Sequence, residues 1–221
     1  MILQALMQYY DRMAATDSSA VTEGFQKKEV PFLIILDREG NFKDILDTRS
    51  GEGKKKVGRQ FTVPKATKKT SGIAANLLWD TPAYVVGKPK LDPKKDQEKT
   101  LERAEEQRLA FLQRIKGAFT EKEIDPGVTS VLRFLERNEF QELFNHPAWQ
   151  EIEETGSVLS FKIEDDTCLV CERPLVVRAL SSSVGKPTED SMTCMITGEK
   201  DTPVRLHTAI KGVWGAQTSG A

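Results

Sequence analysis

The stretch Val30-Pro31-Phe32-Leu33-Ile34-Ile35-Leu36-Asp37-Arg38-Glu39-Gly40-Asn41-Phe42-Lys43-Asp44-Ile45-Leu46 decides the fold. Phe32 to Leu36 is a continuous apolar run, which predicts a buried strand. Asp37-Arg38-Glu39-Gly40-Asn41 has the composition of a hairpin turn, and Phe42 to Leu46 returns as the partner strand. Toward the N-terminus, Ile2, Leu3, Leu6, Met7 and Tyr10 recur at helical spacing and predict a helix over Ile2–Met13 packed on the core, with a turn beginning at Asp17 or Ser18. Toward the C-terminus, Tyr84–Val86 reads as another short strand. From Asp92 to Lys116 the charges alternate in sign, while Leu101, Ala104, Phe111, Leu112, Ile115, Ala118 and Phe119 mark the apolar stripe of an amphipathic helix. Asp125-Pro126-Gly127 ends it or starts the next. Val128–Phe144 predicts a second helix, Ser157–Ile163 a strand, and Pro174–Ala179 a short element before the Ser181–Pro187 loop. The pattern is α+β: an N-terminal lobe over 1–90, a helical pair over 91–150 and a small turn-rich subdomain over 151–221.

A chain of 221 residues can bury a substantial core as one large domain or two small ones. No apolar run is long enough for a transmembrane helix, and the N-terminus lacks the pattern of a secretory signal. Three cysteines do not make a disulfide framework in a chain of this length. These features predict a soluble cytoplasmic protein.

The formal charge is only -1, yet cations crowd into Arg49–Lys69. Arg49, Lys54, Lys55, Lys56, Arg59, Lys65, Lys68 and Lys69 face one acid there, Glu52. Gly, Ser and Thr keep the segment loop-like and allow close backbone approach to a ligand. Such a loop on a near-neutral protein is the footprint of a polyanion binder, most often for nucleic acid. The plainer alternative is a solvated charge run. Thr70, Ser71 and Asn76 follow directly. Asn can contact adenine with two hydrogen bonds, and Ser or Thr can reach base or phosphate. A capped turn, with Leu77, Leu78 and Trp79 in the core, is compatible with that role. Near the C-terminus, Lys211, Gln217, Thr218 and Ser219 stand among glycines in a second candidate loop, whose backbone N–H groups could face a phosphate.

Long motifs in fixed order make the comparison specific. Met1-Ile2-Leu3-Gln4-Ala5-Leu6 with Tyr9-Tyr10 and Asp11-Arg12, the strand Val30–Asp37, and the run Lys68–Asp80 containing Thr70-Ser71-Gly72-Ile73 and Leu78-Trp79-Asp80 come first. Cys194-Met195-Ile196-Thr197-Gly198-Glu199 and His207–Ala221 follow. Together they resemble the large subunit of the type I-C CRISPR surveillance complex, Cascade. Ala74, Ala75 and Thr208 depart from the family pattern. The resemblance implies that the chain is the N-terminal portion of a longer protein, since family members continue beyond Gly215–Ala221.

Other chemistries fit less well. Cys168-Leu169-Val170-Cys171 is half of a zinc site that Cys194 and His207 could complete, but Thr197 stands where a second tight pair needs Cys. The thiols are therefore expected to be structural, with no metal and no cofactor. Thr197-Gly198-Glu199-Lys200 copies a zinc-finger linker without the His pair that should precede it. Walker, dinucleotide-binding and nucleophile-elbow motifs are absent, and neither His146 nor His207 has a nucleophile beside it in sequence. Glu164-Asp165-Asp166 is most simply a solvated turn. The chain is expected not to be an enzyme.

The resemblance then implies a role. The large subunit sits beside the subunit that binds the 5′ handle of the guide RNA and contacts the backbone subunits. It recognises the protospacer-adjacent motif on double-stranded DNA, helps begin strand separation, and helps present the opened target to the nuclease-helicase. Base pairing reads the long target, so protein need only read a short motif and hold backbone. On that basis Lys54, Lys55, Lys56, Arg59, Lys65, Lys68 and Lys69 are expected at phosphates. Thr70, Ser71 and Asn76 are expected nearest the motif bases, and Lys211, Gln217, Thr218 and Ser219 form a second loop at the same DNA. The competing expectation is a protein-interaction scaffold, with a metal-dependent nuclease as a third.

Overall fold

The computed structural model describes residues 2–16, 22, 24–51, 56–67, 72–94, 96–119, 124–181, 191–198, 200–201 and 203. They fall into two compact units, residues 19–182 and residues 1–18 with 183–221.

The larger unit is built on the predicted hairpin. Strand β2 (Phe32–Leu36) is buried along its whole length and pairs antiparallel with β3 (Phe42–Asp47). Asp37 shapes the turn: its Oδ1 accepts the N–H groups of Glu39 at 3.0 Å and Asn41 at 2.8 Å. Gly40 sits there at φ +82°, a left-handed conformation natural to glycine. A four-stranded sheet follows in the order β3, β2, β6 (Leu159–Ile163) and β5 (Trp79–Asp80). Strand β6 runs parallel to β2, and the two-residue β5 pairs antiparallel with β6. This pairing crosses the expected boundaries at 90 and 150, because the strand assigned to the third segment lies beside β2 of the first. A separate ribbon joins β1 (Phe25–Glu29) to β4 (Gln60–Pro64), so part of the expected basic loop is strand.

One sheet face is covered by helices. Phe161 of β6 stacks on Phe111 of α3 (Gln97–Ala118) and meets Phe134 of α4 (Pro126–Arg137) edge-on, with ring centroids 6.4 and 6.3 Å apart. Helix α3 is capped by Asp96, whose side chain accepts the Lys99 N–H; α4 is capped by Asp125, which accepts the Gly127 N–H. The single helix expected over Val128–Phe144 is broken. Asn138 adopts φ +55° and ends α4, and α5 (Gln141–Phe144) follows as a separate turn. Tyr84–Val86 is not a strand but the end of α2 (Pro82–Val86), with Pro82 in its first turn and Gly87 as left-handed C-cap. Helix α6 (Trp149–Thr155) buries Trp149 and Ile152. A 3-10 turn at Val170–Glu172 leads into α7 (Pro174–Ser181).

In the smaller unit, α1 (Ile2–Thr16) forms where the periodicity predicts it, but Ile2, Leu3, Leu6, Tyr9, Tyr10 and Met13 are exposed rather than packed on a core. Gln4 Nε2 donates to the Ile196 carbonyl at 3.5 Å. The short strands β7 (Met192–Thr193) and β8 (Lys200–Asp201) pair antiparallel.

Candidate nucleic-acid interface

The basic stretch begins with a cation already in use. Arg49 is almost enclosed, its guanidinium 4.4 Å above the Phe32 ring. It donates to Glu151 at 2.5 and 2.7 Å and to Asp47 at 2.8 and 2.9 Å. These bonds hold both carboxyls below the usual carboxylate range and raise the guanidinium further above its own. Arg49 therefore ties the hairpin to α6.

Immediately after it, Ser50 and Val57 exchange both backbone hydrogen bonds at 3.0 Å. This bridge closes the base of the segment holding Lys54, Lys55 and Lys56. Lys56 is exposed; Lys54 and Lys55 lie outside the described residues. Gly58 is required by close approach. An added Cβ would stand 2.9 Å from Pro31 Cα, and its N–H donates to Glu29 Oε1 at 2.6 Å. Arg59 is exposed, its guanidinium 5.2 Å from the Phe61 ring centroid. Lys65, just past β4, is exposed, and its backbone N–H donates to the Gly24 carbonyl at 2.8 Å. Among the described residues no carboxylate lies within salt-bridge distance of Lys56, Arg59 or Lys65, although Lys56 is near enough to Asp47 and Glu151 to help lower their pKa values.

A second closed segment follows β4. Thr67 donates its N–H to Asn76 Oδ1 and its hydroxyl to the Ala75 carbonyl, both at 2.9 Å. The Asn76 N–H donates to Asp80 Oδ2 at 2.8 Å. The Trp79 indole donates to the Pro64 carbonyl at 2.9 Å. Lys68, Lys69, Thr70 and Ser71 lie on this segment but outside the described residues. Asn76 departs from its expected place among base-reading residues. It is 4% exposed, and its amide oxygen is committed to the loop base. Leu77, Leu78 and Trp79 are core, as the capped-turn reading expected. Lys211, Gln217, Thr218 and Ser219 lie outside the described residues.

Strand pairing adds two cations that sequence reasoning passed over. The register places Lys27 across from Thr62 and Lys28 across from Phe61. Lys27 Nζ donates to Thr62 Oγ1 at 2.9 Å, and Lys28 Nζ stands 5.8 Å from the Trp79 ring. Nothing local marks Phe25-Gln26-Lys27-Lys28-Glu29 as a neighbour of the basic stretch; only the ribbon brings it there. The interface thus has a two-stranded ribbon with a closed basic segment at each end of β4. The five-residue β4 itself spans roughly 17 Å.

The cysteines divide between units. Cys171 is fully buried, its thiol 3.7 Å from the Thr62 carbonyl, and burial, with Glu172 nearby, pushes its pKa far up. Burial, with Asp166 and Glu172, raises that of the partly exposed Cys168. Cys194 belongs to the smaller unit, and His207 lies outside the described residues. Among the described residues no three His, Cys, Asp or Glu side chains are grouped to hold a metal ion. Asp166, from the acidic turn, is bonded to Arg173, which also donates to the α4 cap Asp125 at 2.6 Å. His146 accepts the Ala148 N–H on Nδ1 at 3.2 Å, which leaves Nε2 to donate to Asp44 at 2.9 Å. No described helix is long and apolar enough to cross a membrane.

No individual curated protein matches the chain. The family model described as CRISPR-associated protein (Cas_Csd1) matches residues 6–221, nearly the whole sequence. With a basic ribbon in an α+β unit and a match of that extent, this chain belongs to the Cas_Csd1 family of CRISPR-associated proteins.

Proposed function

We propose that this chain is the N-terminal part of a type I-C Cascade large subunit, and that it holds double-stranded target DNA beside the protospacer-adjacent motif as strand separation begins. The observation that carries the reading is the set of exposed cations Lys56, Arg59 and Lys65 at the two ends of β4, none within salt-bridge distance of a carboxylate among the described residues. Lys27 on the paired strand extends the set. Lys and Arg placed this way position a duplex through its phosphates. The role needs no active site in this chain. Its partners would be target DNA, the guide RNA ribonucleoprotein, the 5′-handle-binding and backbone subunits, and the nuclease-helicase. The Lys56→Ala, Arg59→Ala, Lys65→Ala triple variant tests it. Affinity should fall on all duplexes alike, and the log–log salt slope should drop by about 0.9 per lost phosphate contact. An unchanged slope would reduce these cations to a solvated face.

A second reading, a protein-interaction scaffold, is favoured by the exposed apolar residues of α1. It predicts that substitutions such as Leu3→Glu and Leu6→Glu impair assembly with the other subunits, while the triple variant leaves DNA capture by the complex intact.

A further inference from the structure

The sheet face opposite the helices holds a cleft of about 270 Å³. Its place follows from strand alternation. Phe161 points to the helices, so Lys162 points the other way. Ile35 pairs with Lys162 and Leu33 with Leu46, which puts them all on that second face. Leu33 and Leu46 form an apolar floor, Arg59 just before β4 and Phe61 of β4 a wall, and Lys162 and Cys168 line it too.

Two features set its ligand chemistry. The first is charge. Neither Arg59 nor Lys162 has a carboxylate partner among the described residues. The lining carboxylate Asp47 is already held by Arg49 at 2.8 and 2.9 Å. The second is shape. The Arg59 guanidinium above the Phe61 ring makes a flat cation-aromatic surface of the kind on which bases stack. The volume lies just under the range of about 300–1,000 Å³ usual for small-molecule pockets, which suits one ring with its attached group rather than a dinucleotide cofactor.

We propose that this cleft seats one unpaired nucleotide of a single-stranded nucleic acid, its base stacked on the Arg59 guanidinium that covers the Phe61 ring and its flanking phosphate against Lys162. A duplex keeps its bases stacked and cannot offer one without flipping it. A free mononucleotide lacks the flanking phosphates and binds more weakly. The inference goes beyond the duplex-holding role and shares only Arg59 with it.

Cys168 is the reporter. It lines the cleft and is partly exposed, Cys171 is fully buried, and Cys194 can be changed to Ser. Alkylation of Cys168 by iodoacetamide is followed in the Cys194→Ser chain at fixed pH. The probes are oligothymidylate, the same strand annealed to its complement, thymidine monophosphate and inorganic polyphosphate. Saturating oligothymidylate should slow alkylation about tenfold or more, in line with the stacking and phosphate contacts it gains. Duplex and polyphosphate, which can reach Arg59 but place no base in the cleft, should slow it far less. Lys162→Ala, a substitution at a partly exposed side chain, should abolish protection, and Phe61→Leu should weaken it. No slowing by the single strand, equal slowing by polyphosphate or by thymidine monophosphate, or protection that survives Lys162→Ala would each overturn the proposal. Duplex binding measured on the same samples separates the two claims. Protection without duplex binding removes the proposed function and keeps this site; duplex binding without protection does the reverse.

Discussion

Arg49 opens the basic stretch and Asn76 follows it, and their neighbours give both a structural role. Asn76 receives the Thr67 N–H at 2.9 Å and is nearly buried. Asn76→Ala leaves that donor without its acceptor, so stability should fall by about 1–3 kcal/mol in urea unfolding. Any loss of duplex affinity should be equal across motif sequences, because the loop base is disturbed rather than a base contact. A loss confined to one motif in a binding panel would restore Asn76 as a reading residue. Arg49 is held among two carboxylates and an aromatic ring, while Lys56, Arg59 and Lys65 stay exposed. Cations of one run thus divide into a structural one, hydrogen-bonded to Asp47 and Glu151, and exposed ones that make no such bond.

The β2–β3 hairpin is the element on which the larger unit is assembled, and its turn docks on α4. Ser130 Oγ donates to the Arg38 carbonyl at 2.7 Å, and Arg137 donates to the Glu39 carbonyl at 3.1 Å. At Gly40 an added Cβ would stand 2.5 Å from the Ser130 carbonyl oxygen, in a backbone conformation at φ +82°. Gly40→Ala should therefore destabilise the fold by roughly 1–3 kcal/mol from backbone strain alone, read as a lower denaturation midpoint. Asp37 makes the same turn sensitive to acid. Burial pushes its carboxyl up, but the Asn41 backbone and side-chain N–H groups and Lys43 outweigh this and lower its pKa from 3.8 to about 2. The folded form thus binds the proton less readily than the unfolded chain. The resulting stabilisation is complete above about pH 4 and is lost as pH falls through about 2. Asp37→Ala should cost stability at neutral pH, and the difference from the parent chain should shrink toward pH 2 in paired denaturation curves. A pH-independent difference would assign the effect to turn geometry without charge.

At the scale of the whole molecule, the cations belong to a ribbon and two closed segments, and the remaining loop residues of the proposed DNA site come from sequence near residue 211 onward. A reader built from separated segments gains selectivity when partners hold them against one DNA. The isolated chain should therefore bind duplex weakly and with little preference between matched and scrambled motifs in a fluorescence titration, and selectivity should appear on assembly. Full selectivity from the chain alone would make it a self-sufficient reader. The sequence by itself determined what depends on neighbours in the chain. The Phe32–Leu36 strand, the Asp37–Asn41 turn, the α3 stripe and the α+β class follow from local periodicity, turn chemistry and capping. The helix at Pro82–Val86 was also locally signalled, by Pro82 and Gly87, although three apolar residues in a row read as a strand. Tertiary structure alone decided the rest. Lys27 and Lys28 reach the basic stretch through pairing with a strand distant in sequence. Val128–Phe144 divides where Asn138 turns left-handed. Asn76 is buried because Thr67 and Asp80 enclose it. Lys162 faces a cleft because β6 inserts beside β2. Each of these depends on which long-range partner fills a position, and hydrogen bonding and burial settle that only when the chain is folded.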